Sequence, residues 1–254
     1  MLELLAPTTI DLRDSAARHG VGLFETIRVE GGRPLRLDLH LARLARGLAF
    51  LGMEEAPDEA ALRTFLERET ATPSLDLGVL RLVAVDAGLR AWAEPLDEAG
   101  AGPAKVALAE AFRRSSSSPL NRHKTLAYLE NSLLAREARS RGLYELLALN
   151  EHGRLTDGSR TTMLLRLGKA WFTPPVEEGA LPGTLRALLL KAGVLREDAL
   201  ELRHLRQARA LVLCNALREL VAVEEVAGVD LAPGLDPELP AIRELRDVVT
   251  GSKR

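Results

Sequence analysis

Several things are scarce in this 254-residue chain. Cysteine occurs once, at Cys214, which excludes an internal disulfide and fits a reducing, cytoplasmic setting. No apolar run approaches the length needed to cross a bilayer; runs such as Leu188 to Leu190 are a fraction of it. Met1 to Ile10 has no basic residue ahead of an apolar stretch, so it does not read as a secretion signal. A formal charge of −2 gives no electrostatic reason to expect nucleic acid or an anionic membrane as partner. Lysine is rare, five against 29 arginines, and Asn plus Gln also total five. Few amides suit a heat-adapted protein, and a genome rich in G and C gives the same bias. What is abundant is apolar sequence, 46% of the residues, enough for one large core or two small ones.

Patterning suggests a mixed α+β chain. Gly22 to Val29 alternates and ends at Glu30-Gly31-Gly32, a strand running into a hairpin. Asp38, as an N-cap, precedes the helical stripe Leu41, Leu44, Leu48 and Leu51, which stops at Gly52. A second helix is expected over Glu59 to Thr70, and strands over Val79 to Val85 and Lys105 to Ala111. Arg113 to Asn121, with four serines and Pro119, is a polar connector. It divides an N-terminal α+β domain (1–112) from a C-terminal domain (122–254). Beyond it, Leu126, Leu129 and Leu133 mark a helix running to about Arg141. Strands follow over Glu145 to Asn150, Thr161 to Leu167 and Ala170 to Thr173, then a helix from Leu185 to Ala192. Two last strands lie near Ala210 to Leu213 and Glu219 to Val223.

Among the lysines, Lys169 sits in a turn, Lys191 near a helix end, Lys253 in a polar tail and Lys105 at a strand start. Lys124 stands where the connector meets the next helix. Position alone makes it a surface lysine, although such a junction can also face a cleft. Asp157-Gly158 reads as a turn. Leu181 to Arg186 reads as a turn entering a helix with Thr184 as cap, and the free N–H groups of such a start also bind phosphate.

Taken in order, these pieces carry a resemblance. His123 to Asn131, followed by Ala135 and Glu137-Ala138, resembles the Schiff-base lysine segment of fold-type IV enzymes that use pyridoxal 5′-phosphate (PLP). That family includes branched-chain and D-amino acid aminotransferases and 4-amino-4-deoxychorismate lyases. The resemblance runs from about His19 to Val223. It implies a smaller N-terminal α/β domain, a larger C-terminal PLP-binding domain with a barrel-like sheet, and PLP in the cleft between them. It also implies a homodimer acting on a small molecule, with no metal. By this resemblance Lys124 holds the cofactor and Asp157, where the family usually has glutamate, faces the pyridine nitrogen. Gly183, Thr184, Leu185, Asn215, Ala216 and Arg43 correspond to phosphate contacts, and Tyr128 to a contact of the phenolic oxygen. Thr162 stands where the family often has Asn.

Three features resemble the lyase branch: Thr26 on the early strand, the turn Leu213 to Leu217, and a compact chain. The lyase reading makes Thr26 an aid to the departing group, with Lys124 as the base. It assigns 4-amino-4-deoxychorismate as substrate, and 4-aminobenzoate, a folate precursor, and pyruvate as products. Two substrate carboxylates call for cations, and Arg28, Arg81 and Arg90 are the candidates; Arg28 shares strand parity with Thr26. An aminotransferase of the same fold and a non-catalytic PLP-binding homologue are the other readings.

Overall fold

A computed structural model describes residues 4–5, 11–53, 58–71, 75–97, 102–231 and 234–252. Lys253 and most of the first ten residues lie outside the described residues. The chain forms two compact units. One comprises Met1–Ala99 with His123–Tyr128, the other Gly100–Arg122 with Leu129–Arg254. They are not contiguous halves. The Lys124 segment belongs to the first unit, and the stretch before it, including the whole serine-rich connector, to the second.

The first unit is built on a five-stranded sheet. Its elements are β1 (Leu4–Leu5), α1 (Ser15–His19), β2 (Leu23–Glu30), β3 (Arg33–Pro34), α2 (Leu37–Phe50), α3 (Glu59–Thr70), β4 (Leu77–Val85) and β5 (Gly88–Pro95), with strand order β1-β5-β4-β2-β3. Period-two alternation sends Leu23, Ile27 and Val29 into a core with Leu37, Leu41, Leu44 and Leu48 of α2 and Leu62 and Leu66 of α3. Gly31 and Gly32, at φ 55° and 71°, make the two-residue turn to β3, as their sequence suggested. Asp38 is not the cap of α2. The amide of Leu35 still donates to the carbonyl of Arg28 at 2.8 Å, so the chain leaves the hairpin only at Arg36. Arg36, at φ 54°, is the N-cap, and Asp38 falls in the first turn, where it meets Arg63.

The sequence pattern marks no strand at β5. The turn is Asp86-Ala87, which lacks the usual glycine signal, and Gly88 already pairs with Val85. The expected helix from Leu126 is also shorter. Residues 124–126 run extended beside β2: the amide of Phe24 donates to the Lys124 carbonyl at 2.9 Å, and that of Leu126 to the Gly22 carbonyl at 2.9 Å. A Cβ on Gly22 would lie 2.7 Å from a Leu126 methyl and 2.6 Å from the Ala84 carbonyl oxygen, so only glycine permits this approach.

The second unit contains β6 (Ala104–Arg114), α4 (Leu129–Ser140), β7 (Glu145–Asn150), β8 (Leu155–Gly158), β9 (Thr162–Leu167), β10 (Ala170–Thr173), α5 (Thr184–Lys191), β11 (Leu195–Glu197), α6 (Leu202–Gln207), β12 (Ala210–Asn215), β13 (Glu219–Ala227) and α7 (Ala241–Gly251). The sheet order is β11-β10-β9-β12-β13-β6-β7-β8, and β8 pairs back to β9, closing a six-stranded barrel. This is the barrel-like sheet that the fold-type IV resemblance implied. Its interior holds Val106, Leu147, Leu155, Met163, Leu165, Leu211 and Leu213. A second layer, with Trp171, Leu185, Leu189, Ile242 and Leu245, lies under α5 and α7. Among the described residues no helix is long and apolar enough to cross a membrane.

Candidate active site

In the first unit, cross-strand register arranges one face of the sheet as three rows. Thr26 of β2 lies opposite Arg81 of β4, which lies opposite Trp92 of β5. On one side of that row runs Phe24–Val83–Arg90, on the other Arg28–Val79–Glu94. All four residues assigned to substrate, Thr26, Arg28, Arg81 and Arg90, therefore share this face. Arg28 Nε donates to Glu30 Oε1 at 2.7 Å, and Arg81 Nε to Glu94 Oε1 at 2.6 Å. Arg90 differs: its Nε is buried without a hydrogen-bond partner among the described residues. A cavity of about 420 Å³ opens over the central row, lined by Phe24, Glu25, Thr26, Arg81, Val83, Trp92, Leu126 and Tyr128.

Lys124 stands at the edge of this face. Its Nζ lies 4.1 Å from the ring centre of Phe24 and 5.1 Å from that of Tyr128, and the two rings pack edge to face at 5.0 Å. Tyr128 thus packs as a helix-leading aromatic and also faces the cavity. On the opposite face lies a buried carboxylate. Glu25 receives Arg43 Nε at 2.8 Å and Nη2 at 2.7 Å, and His40 Nδ1 at 2.6 Å. Desolvation pushes Glu25 upward, but Arg43 and His40 together outweigh it and hold the group down at about 2. Burial lowers His40, so its neutral ring donates Nδ1–H to Glu25. Arg43, expected beside a phosphate, carries this ion pair as well.

The second unit gathers the other expected residues at one end of the barrel. Asp157 on β8 pairs with Thr162 on β9, and Thr162 with Cys214 on β12, next to Asn215. A Cβ on Gly183 would lie 2.8 Å from Thr162 Oγ1, so the turn into α5 presses against the same strand. Gly183, not Thr184, is the N-cap of α5, and it has no side chain to offer. The Ala187 amide returns to the Gly183 carbonyl at 2.9 Å, so Thr184, Leu185 and Arg186 form the first turn of α5, the end of a helix whose amides suit an anion. Asn215 Oδ1 accepts from the amides of Leu217 and Arg218 at 3.0 and 2.8 Å, shaping the turn after Ala216.

Asp157 is buried in strand β8 rather than in a turn. Its Oδ1 accepts from Arg114 Nε at 3.3 Å and its Oδ2 from the Leu181 amide at 3.1 Å. Desolvation raises its pKa, with Arg114 opposing. Arg114 also reaches Glu130 at 3.2 Å and Asn131 at 3.0 Å, and Asn131 Nδ2 donates to the Ser159 carbonyl at 2.7 Å. Glu145, fully buried, accepts from Ser159 Oγ at 2.7 Å, Thr161 Oγ1 at 3.1 Å and the Arg160 amide at 3.2 Å. Arg114 and Glu145 were missed from sequence. Arg114 hides in a run of polar residues read as connector, and Glu145 opens a strand that otherwise looks like pure core. The turn into α5, pressed against Thr162, and the desolvated Asp157 carboxylate, bonded to the Leu181 amide of that same turn, fit a phosphorylated pyridine.

The amino-transferase class IV family model matches residues 22–226. The aminodeoxychorismate lyase of Bacillus subtilis is 23% identical over 238 residues, 85% of this chain and 81% of its own. The bifunctional aminodeoxychorismate lyase / D-amino acid transaminase of Mycobacterium tuberculosis is 26% identical over 222 residues, 77% of this chain and 76% of its own. The crystal structure of 4-amino-4-deoxychorismate lyase from Pseudomonas aeruginosa superposes with a TM-score of 0.79 at 26% identity, covering 96% of this chain and 95% of that one. The chain belongs to the class IV aminotransferase family of PLP-dependent enzymes.

Proposed function

We propose that this protein binds PLP and converts 4-amino-4-deoxychorismate to 4-aminobenzoate and pyruvate. The observation that carries the reading is the row Thr26–Arg81–Trp92: a hydroxyl opposite a guanidinium, in the cavity lined by the two rings that hold Lys124. Similarity to a lyase over 85% of the chain supports it. Lys124 holds the cofactor. The α5 start (Gly183, Thr184, Leu185), the Asn215-Ala216 turn and Arg43 serve the phosphate. Asp157, acceptor-only when ionised, accepts a hydrogen bond from the protonated pyridine nitrogen, and Tyr128 serves the phenolic oxygen.

Bound PLP supplies an electron sink for the substrate's amine-bearing carbon. The Lys124 amine removes the proton from that carbon. The Thr26 hydroxyl donates to the ether oxygen as the carbon–oxygen bond breaks, so the leaving fragment departs as enolpyruvate. Arg81 and Arg90 hold the two substrate carboxylates, with Arg28 beside them. Substrate and the two products balance without water or oxidant, and the ring becomes aromatic. Proton transfer and positioning are the tasks left to the protein.

The test is to mix PLP-loaded protein with freshly made 4-amino-4-deoxychorismate and measure both products. Equal amounts of 4-aminobenzoate and pyruvate support the lyase. A keto acid formed only from an added amino acid, with the cofactor left aminated, supports the aminotransferase; the bifunctional mycobacterial relative makes that arm worth running. We also assign a homodimer, and sedimentation showing only 27.6-kDa particles at micromolar protein contradicts it.

A further inference from the structure

Trp92 was not singled out by any sequence motif, yet it ends the central row of the cavity. Its neighbours supply two kinds of surface. Phe24, Val83, Leu126 and Tyr128 are apolar or aromatic walls, and Thr26 and Arg81 are a hydroxyl and a cation on the floor. Register places the indole directly across from Arg81, so the two lie about 5 Å apart at the backbone. A ligand whose carboxylate meets Arg81 therefore carries its body over or beside Trp92. The volume, about 420 Å³, suits a substituted six-membered ring.

The Arg81 cation is not locked. Among the described residues its one partner is Glu94, on the neighbouring row, and the two side chains are 39% and 41% exposed. An ion pair this wet is cheap to exchange. A ligand carboxylate can take the place of Glu94 without leaving a buried charge behind. Phe24 and Tyr128 are already packed edge to face with each other, which leaves Trp92 as the aromatic surface of the cavity not used in that pair.

We propose that Trp92 is the specificity-determining platform of this site: it selects flat-ring carboxylates over aliphatic amino acids, while Arg81 exchanges Glu94 for the ligand's carboxylate. The proposal rests on the lyase reading for the identity of the ring acid, and its test does not depend on turnover. The chain has two tryptophans, and the other, Trp171, is 1% exposed inside the second unit. Emission excited selectively in indole therefore reports ligand at Trp92 against a shielded background.

The experiment titrates whole, PLP-loaded protein with 4-aminobenzoate and, separately, with cyclohexanecarboxylate, which has the same charge and no flat face. The expected result is saturable quenching by 4-aminobenzoate and binding of the saturated acid roughly five- to tenfold weaker. Trp92→Leu removes the response, and enzyme assays show KM for the ring substrate raised by a similar factor with kcat little changed; Trp92→Phe retains the KM. Glu94→Gln, which frees Arg81, tightens 4-aminobenzoate by roughly two- to fivefold, a gain that damage to the fold does not produce. Absence of saturable quenching, equal affinity for the two acids, or a Glu94→Gln variant that binds no tighter overturns the proposal. The two readings fail separately. Products formed without quenching leave the lyase standing and remove the platform; quenching without products leaves a ring-acid site and removes the lyase.

Discussion

Glu25 and Asp157 are both buried carboxylates with an arginine beside them, and they are held in opposite ways. Glu25 takes two short bonds from Arg43 and a third from His40, and is held down at about 2. Asp157 takes one long contact from Arg114 and one backbone amide, and its pKa is raised because burial outweighs those partners. Burial is common to both, so the partners decide. Glu25 is a completed structural ion pair that fastens α2 to β2. Asp157 is an under-satisfied acceptor, which is what a group reserved for an incoming N–H should be.

The comparison can be broken from either side. The largest effect falls outside both carboxylates, at Lys124: Lys124→Ala lowers turnover by roughly 10²–10⁴ or more, read as initial rate of pyruvate release, with thermal stability nearly unchanged. Glu25→Gln removes one member of a buried pair and destabilises by about 3–5 kcal/mol, measured by denaturant unfolding. The pH dependence has a definite sign. The folded-state pKa of Glu25 lies below its ordinary value of 4.5, so its contribution is full above about 4.5 and is lost as pH falls toward 2. In Glu25→Gln that acid-side loss is flattened.

Asp157→Asn should behave in the opposite way. The raised folded pKa means that the ionised form costs stability at neutral pH and recovers it as pH falls through the folded value. Replacing it leaves Arg114 with Glu130 and Asn131, so stability changes by less than about 1 kcal/mol, toward the stabilising side, while turnover falls. A large loss of Tm in this variant would mean that Asp157 is a structural ion pair like Glu25. The smallest effect concerns Cys214, a free and buried thiol. Burial pushes it up to about 12, so a thiol reagent reacts in the unfolded protein and leaves the native protein untouched.

Much of this was legible in the sequence. Strong period-two or helical patterns, as in β2, α2 and α3, marked boundaries within a residue or two because one buried face dictates them. Elements decided by long-range pairing were not legible. β5 begins after a turn with no glycine in it, residues 124–126 are extended only because they bond to β2, and β8 is four residues made strand by β7 and β9. The same divide runs through the site. Lys124, Asp157 and the α5 turn were readable as ordered motifs. Trp92, Arg114 and Glu145 were not, because their importance comes from cross-strand register and from hydrogen bonds to residues distant in sequence.

The most direct measurement is to load the protein with PLP, reduce it with borohydride and map the labelled lysine by peptide mass spectrometry. The chain offers only five lysines. Pyridoxyl on the peptide containing Lys124, and its loss in Lys124→Ala, is the result the account predicts. Label on Lys105, Lys169, Lys191 or Lys253, or no label at saturating PLP, contradicts it.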